Sequence, residues 1–437
     1  MSVALFSIAV AVQVATAATH GGPAAPPPEL VVDPRGPVTS IAAAVARAPA
    51  GATIVVMPGI YREATIRLDK PVTLDGRGAA VLDGEGTRGL ISIVADDVTV
   101  RGVVLQHTGR SQTEDRAAVR AEGVRHCRIE GNRIDDAFFA IYLARTGDCE
   151  VRGNDIRGSG AAQGINGNGI HVWQSERVFV AGNRVQGQRD GIYFEFVKDG
   201  TVEDNTSTQN DRYGLHFMFS DDCRYQGNAF VANGAGVAVM YTRHVRMIDN
   251  TFQHNWGGAA YGLLLKDISD SEILRNHFVA NSIGLYLEGS SRNRVEGNEF
   301  RENGWALKVL ADAQENLVTH NAFELNAFDV GTNSRQNFST FRENYWDRYR
   351  GYDLDRNGVG DVPFPPVRLF ALVVEQAPVT LILLRSAFVD LLDLAERVIP
   401  VVTPQTLVDT RPLMRRPEQV TRDSAVVSRR VPPGSAP

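Results

Sequence analysis

One short pattern, apolar-x-small/polar-Asn-x-apolar, recurs along the middle of this chain and restricts its fold more than any other feature. It reads CRIEGNRI, CEVRGNDI, VFVAGNRV, GTVEDNTS, CRYQGNAF, VRMIDNTF, EILRNHF, NRVEGNEF, NLVTHNAF and STFRENYW. Its asparagines are Asn132, Asn154, Asn183, Asn205, Asn228, Asn250, Asn276, Asn298, Asn321 and Asn344. The intervals between them are 22, 29, 22, 23, 22, 26, 22, 23 and 23 residues. A period in the twenties belongs to solenoids, where each repeat stacks on the last and adds length without a new core. Apolar residues alternate within each repeat, three positions before the Asn (Ile129 to Phe341) and two after it (Ile134 to Trp346), which argues strands. A further strand follows a small residue in AIYL, GIHV, GIYF, GLHF, GVAV, GLLL, GLYL and ALKV. The expected fold class is all-β, a right-handed parallel β-helix of about ten coils.

In-register coils lie about 4.8 Å apart, so Phe230, Phe252, Phe278, Phe300 and Phe323 should form one internal stack. An Asn at a fixed corner can adopt the left-handed conformation and bond the next Asn in a ladder, a structural role. The two long intervals mark insertions around 158–168 and 255–260. Residues 38–346 are assigned to the β-helix and its cap, since VTSIAAAVARAPA (38–50) reads as an amphipathic helix able to cover the open core end. Residues 1–18, short, apolar and ending in Ala-x-Ala, read as a signal peptide that lacks a leading Lys or Arg; a buried helix is the other reading. A Pro-rich linker (19–37) follows. No later stretch reaches the roughly 20 apolar residues of a membrane helix, and a net charge of −6 gives no reason to expect nucleic acid.

Residues 347–365 form an acidic glycine loop. Within it Asp353, Asp355, Asn357 and Asp361 match the first half of a calcium loop, although Phe364 stands where its bidentate Glu belongs; a plain Asp/Asn/Gly turn reads equally well. Residues 366–400 change character. Leu381, Leu384, Phe388, Leu391 and Leu392 share one helical face between Pro378 and Pro400, suited to closing the solenoid end or to docking a partner or membrane protein. Residues 401–437 read as a disordered tail, polar and Pro-rich from Pro417. Cys127, Cys149 and Cys223 share one column, and the first two, on adjacent coils, suit either a disulfide or small buried filler. Glu195, Asp221 and Asp222 form the densest acid cluster, but Asp221 and Asp222 sit in a turn-like run and read as solvated carboxylates.

Alternation points His216, Met218 and Met240 outward, with the two methionines stacked on neighbouring coils and His171 in the His216 column two coils away. Thioethers with imidazole are a soft ligand set suited to Cu(I), and a methionine docking patch is the competing reading.

The runs DRYGLHFMFSDDC, NYWDRYRGYDLDRNGVGDVPF and SAFVDLLDLAERVIP together resemble the NosD family, over nearly the whole chain to about Pro417. The last two in that order are specific, whereas the coils alone would fit many β-helices. The resemblance implies a non-catalytic β-helix held at the periplasmic side of the inner membrane by a NosY-like permease with a NosF-like cytoplasmic ATPase. It further implies copper received from a lipoprotein chaperone and handled transiently, as Cu(I), for the copper–sulfur centre of nitrous oxide reductase. The alternative from the fold is a carbohydrate-binding or polysaccharide lyase/epimerase-type protein.

Overall fold

The computed structural model describes residues 28–111, 113–159, 166–258, 260–334, 336–398 and 407–417; the proposed leader, most of the linker and the end of the tail lie outside them. Every strand of the regular coils pairs in parallel with its counterparts one coil before and after, so the chain is a parallel β-helix with three faces. Short strands such as Glu150–Arg152 and Asp155–Arg157 build the first and second faces. Those two faces form one 25-stranded sheet because the long strands Val72–Asp83 and Thr99–Gln106 run through both. Longer strands such as Tyr213–Met218 build the third face, a sheet of twelve strands.

The register is the one that the repeat dictates. Val151 pairs with Ile129 and Val180, and Phe278 with Phe252 and Phe300. The rings of Phe252, Phe278 and Phe300 stack 4.7 Å apart, and the column runs on through Phe323 to Trp346. In several third-face strands, such as Tyr261–Lys266 and Ile283–Glu288, the second residue is glycine for lack of room: a Cβ on Gly262 would lie 2.6 Å from the carbonyl oxygen of Gly284. The asparagines are buried and laddered, each backbone N–H and side-chain Nδ2 donating to the next Oδ1, as from Asn276 to Asn298 at 2.8 and 3.0 Å. The left-handed residue is the one before the Asn, for example Gly131, Asp204 or His320, and not the Asn itself. That twist turns the chain while leaving the Asn side chain free to reach along the helix axis. A second ladder, five residues further on, joins Asn210, Asn233, Asn255, Asn281, Asn303 and Asn326.

At the N-terminal end, α1 (Ile41–Arg47) begins at Ser40, whose Oγ accepts the Ala43 N–H, while Glu63 accepts the Ile41 N–H. It buries Ile41, Ala44 and Val45 in the core against the first strands. The segment assigned as linker already contributes a strand, Glu29–Val32, paired with Ala52–Val56. Cys127 and Cys149 are joined by a disulfide across adjacent coils, with Cα atoms 4.6 Å apart, and Cys223 is a buried free thiol.

The C-terminal third departs furthest from expectation. The single helix expected between Pro378 and Pro400 is a 3-10 turn (Pro378–Leu383) followed by α3 (Ala387–Val398), and a further helix, α2 (Leu369–Gln376), precedes Pro378. Pro378 disfavours helical backbone just before it, which ends α2 at Gln376. These helices lie on the outer surface of the third face, not over the solenoid end: Phe370, Ala371, Val374 and Val389 pack with Trp305 and Phe328, and Lys308 pairs with Glu375 at 2.6 Å. The end is closed by part of the segment assigned as disordered tail. Residues 407–417 return to bridge Phe341 to Asp409 and Tyr345 to Leu413. Asp409, fully buried, takes the next rung of the Asn ladder, its Oδ2 accepting from Asn344 N, Asn344 Nδ2 and Trp346 Nε1 at 3.1, 3.0 and 3.0 Å.

Candidate functional site

Two outward columns of the third face carry the His and Met side chains singled out as candidate metal ligands. In one, Tyr142, His171, Tyr193 and His216 lie in register on successive coils. Their rings form a continuous stair with centroids 4.6–4.8 Å apart, joined from the side by Tyr213 at 4.7 Å from His216. In the other column Glu195, Met218, Met240 and Lys266 are in register, so the methionines are direct neighbours across one coil step.

The histidines point outward as the alternation requires, yet they are not on the open, solvent-facing surface expected from sequence. His216 is 5% exposed and His171 9%, because tyrosine rings on neighbouring coils and columns cover them. Met218 and Met240 remain partly exposed. The Tyr193 hydroxyl reaches the Met218 sulfur at 3.5 Å, which ties the two columns together. Burial pushes the His171 imidazole down to about 3, so it stays neutral. Beside His216 lies Asp190, wholly buried and gripped by Arg212, with Nε–Oδ1 at 2.8 Å. Burial raises its carboxyl, and the hydrogen-bonded Arg212 guanidinium together with the nearby His216 imidazole outweighs this and brings it down to about 2. The His216 Nδ1 is 3.8 Å from Asp190 Oδ2, and its Nε2 is buried with no hydrogen-bond partner.

Sequence reasoning missed the neighbouring corner. Phe196, Phe219 and Tyr241 follow Glu195, Met218 and Met240 directly, all in left-handed backbone (φ 54, 49 and 55°), and stack face to face at 5.0 and 5.2 Å while 41–47% exposed. Their signal was an aromatic at the same offset in three successive repeats.

Of the other candidates, Asp353 accepts the N–H groups of Asn357 and Gly358, Asp355 the side-chain amide of Asn357, and Asp361 the N–H of Leu354. These are bonds of the kind that an Asp/Asn/Gly turn makes. Asp221 accepts from the Arg243 N–H, and Asp222 pairs with His244, so both serve the turns. The five apolar helical residues do not act as one face. Leu384 and Leu392 turn toward the Trp305–Phe328 cluster, while Leu381, Phe388 and Leu391 are 43–64% exposed, beside Val379, Ile382 and Leu394. Among the described residues no helix is long and apolar enough to cross a membrane.

A family model described as periplasmic copper-binding protein (NosD) matches residues 89–211 and 160–351. A probable ABC transporter binding protein NosD of Pseudomonas aeruginosa is 30% identical over 369 residues, covering 80% of this chain and 85% of that protein. The chain belongs to the NosD family. Its counterpart of the same description in Stutzerimonas stutzeri is 27% identical, over 83% of this chain and 87% of the other. Among solved structures, the catalytic domain of a GH87 alpha-1,3-glucanase superposes with a TM-score of 0.54 at 13% identity, covering 75% of this chain and 70% of that one. A Yersinia enterocolitica family 28 exopolygalacturonase gives 0.52 at 11%, covering 74% and 79%. At such identity the likeness is one of fold alone. The description of the matching family names copper. The residues present suit it: a buried imidazole nitrogen without a partner stands two residues from one of two adjacent thioethers.

Proposed function

We propose that this chain is a non-catalytic periplasmic subunit of an ABC-type assembly that passes Cu(I) toward the copper–sulfur centre of nitrous oxide reductase. A lipoprotein chaperone supplies the ion, and a NosY-like permease with a NosF-like ATPase drives the cycle. The observation that carries the reading is the in-register pair Met218–Met240 beside His216, whose Nε2 is buried and unpartnered. Two thioethers and one imidazole at a partly exposed site bind a soft cation without enclosing it, which suits a protein that must release its cargo. The exposed apolar set Leu381, Phe388 and Leu391 is the docking surface for the permease, and it holds the soluble β-helix at the membrane. The test is an anaerobic Cu(I) competition titration of the parent and of Met218→Leu/Met240→Leu, which keeps side-chain volume. The parent should retain one Cu(I), and the double variant should lose at least about tenfold in affinity while folding normally. Equal binding by both would reduce the methionines to a docking patch.

A further inference from the structure

A groove runs along the helix axis at the corner where the third face meets the first. On three successive coils the residue after the outward strand position takes left-handed backbone, the next is buried, and the third bridges to the neighbouring coil. Side chains therefore rise on both sides of a buried floor. Arg145, Gln174 and Phe196 form one wall, aligned by the register of the strands before them, and Arg125, Glu176 and Lys198 form the other. The floor hydroxyls of Thr146 and Ser175 bond each other at 3.1 Å. The space between the walls is about 490 Å3, the size of a small-ligand site.

The ring at one end of the groove is unusual. Left-handed backbone crowds any Cβ, which suits Gly123, Asp267 and Gly289 to other turns of the same corner. Phe196 takes this backbone and is still 47% exposed, so its ring gains little from burial. Phe219 stacks on one face of that ring, and the opposite face lines the groove. A half-exposed ring on costly backbone contributes more to a surface contact than to the fold. The walls carry three cations, Arg125, Arg145 and Lys198, against the carboxylate of Glu176, on a chain of net charge −6. Lys198 makes no ion pair among the described residues. Arg125 lies over Gly147, where a Cβ would be 3.1 Å from its Nη1, and holds Glu176 at 2.9 Å in an exposed pair that a ligand can displace.

A peptide strand would need free backbone groups, and those of the second wall are spent. The N–H groups of Gly147, Glu176 and Lys198 bond Val124, Thr146 and Ser175, and their carbonyls accept from His126, Asp148 and Arg177. A nucleic-acid strand would meet Glu176 and a chain of net negative charge. A small anion would leave the ring unused, whereas a sugar bearing a carboxylate engages the ring, the donors and the acceptor together. We propose that this groove binds an acidic glycan chain laid along the helix axis. The C–H face of one sugar lies on Phe196, its hydroxyls bond Gln174 and Glu176, and its carboxylate meets Lys198 and Arg125. Glu176 is the one carboxylate among the described lining residues, so the acid pair of glycoside hydrolysis is missing and the chain is held without being cut. None of the proposed copper ligands lines the groove, so glycan and Cu(I) occupy separate sites.

The experiment titrates the full chain with hexagalacturonate, by calorimetry and by nitrogen-15 amide shifts. The parent should bind it with shifts centred on 145–147, 174–176 and 196–198, and more weakly as salt rises. Phe196→Asn places a residue at ease in left-handed backbone, so it should keep or raise the melting temperature while lowering affinity about tenfold. Lys198→Ala should lower affinity about three- to tenfold and flatten the salt dependence. No binding by the parent at millimolar hexagalacturonate overturns the proposal, and so does parental affinity in a folded Phe196→Asn. Where Phe196→Asn does not fold, parental affinity and salt dependence in Lys198→Ala overturn it. Tighter binding of neutral maltohexaose or of a thymidine hexanucleotide assigns the groove to another ligand and overturns it as well.

Discussion

Replacing Asp409 by alanine removes the last rung of the main ladder, and the structure sets the size of the effect. One fully buried oxygen accepts three hydrogen bonds, two from Asn344 and one from the Trp346 indole, at 3.0–3.1 Å. Each buried donor left without a partner costs about 1–3 kcal/mol, which gives a ceiling near 9 kcal/mol. The three share one acceptor, and water can enter the end of the solenoid, so the expected loss is about 3–5 kcal/mol. Asp409→Asn keeps an acceptor oxygen and continues the ladder with the residue it uses elsewhere, so it should cost about 1 kcal/mol or less. Long repeat arrays do not melt as one unit, so the readout is amide and indole hydrogen exchange coil by coil. Alanine should accelerate exchange at Asn344, the Trp346 indole and residues 409–413, with coils before Asn276 unchanged. Parental protection of the Trp346 indole in Asp409→Ala would refute the idea that this carboxylate closes the helix.

Other consequences follow from particular contacts. Phe278→Ala empties a fully buried site between two rings at 4.7 Å and should cost about 3–5 kcal/mol in denaturant unfolding. Phe388→Asp with Leu391→Asp, at residues 50% and 64% exposed, should leave the melting temperature of the β-helix unchanged and abolish co-purification with the permease. Asp329 is wholly buried, and desolvation lifts its carboxyl to about 6 from an unfolded value near 4, with one oxygen lacking a partner. The folded state then holds the proton more tightly, so this group's contribution falls as pH rises from about 4 to about 6 and is level above. Asp329→Asn should remove that slope and gain about 2–3 kcal/mol at pH 7, read by urea unfolding across the range.

The repeat made most of the solenoid legible, because an in-register coil fixes both the face and the neighbours of every residue. The Phe column, the Asn ladder and the Met218–Met240 adjacency all follow from counting residues from one asparagine to the next. Counting gives the face but not what covers it. The burial of His216 comes from Tyr193 on the next coil and Tyr213 in the next column, a feature of side-chain size beyond alternation. The second ladder had a signal in the Asn-x4-Asn spacing repeated from Asn205–Asn210 onward. The Cys127–Cys149 bridge had the right column and coil but depended on side-chain rotation that sequence does not report. Closure by residues 407–417 was the least visible. Asp409 joins Asn344 across 65 residues, and its own segment carries no repeat pattern.

The proposed Cu(I) ligands on the outer surface of the third face are the Met218 and Met240 sulfurs and one histidine nitrogen. X-ray absorption at the copper edge of the Cu(I)-loaded full chain measures those ligands directly. Two sulfur scatterers and one imidazole are expected in the parent, with the sulfur signal lost from Met218→Leu/Met240→Leu. A Cu(I) shell of nitrogen and oxygen alone in the parent, or an unchanged sulfur shell in the double variant, would contradict this ligand set.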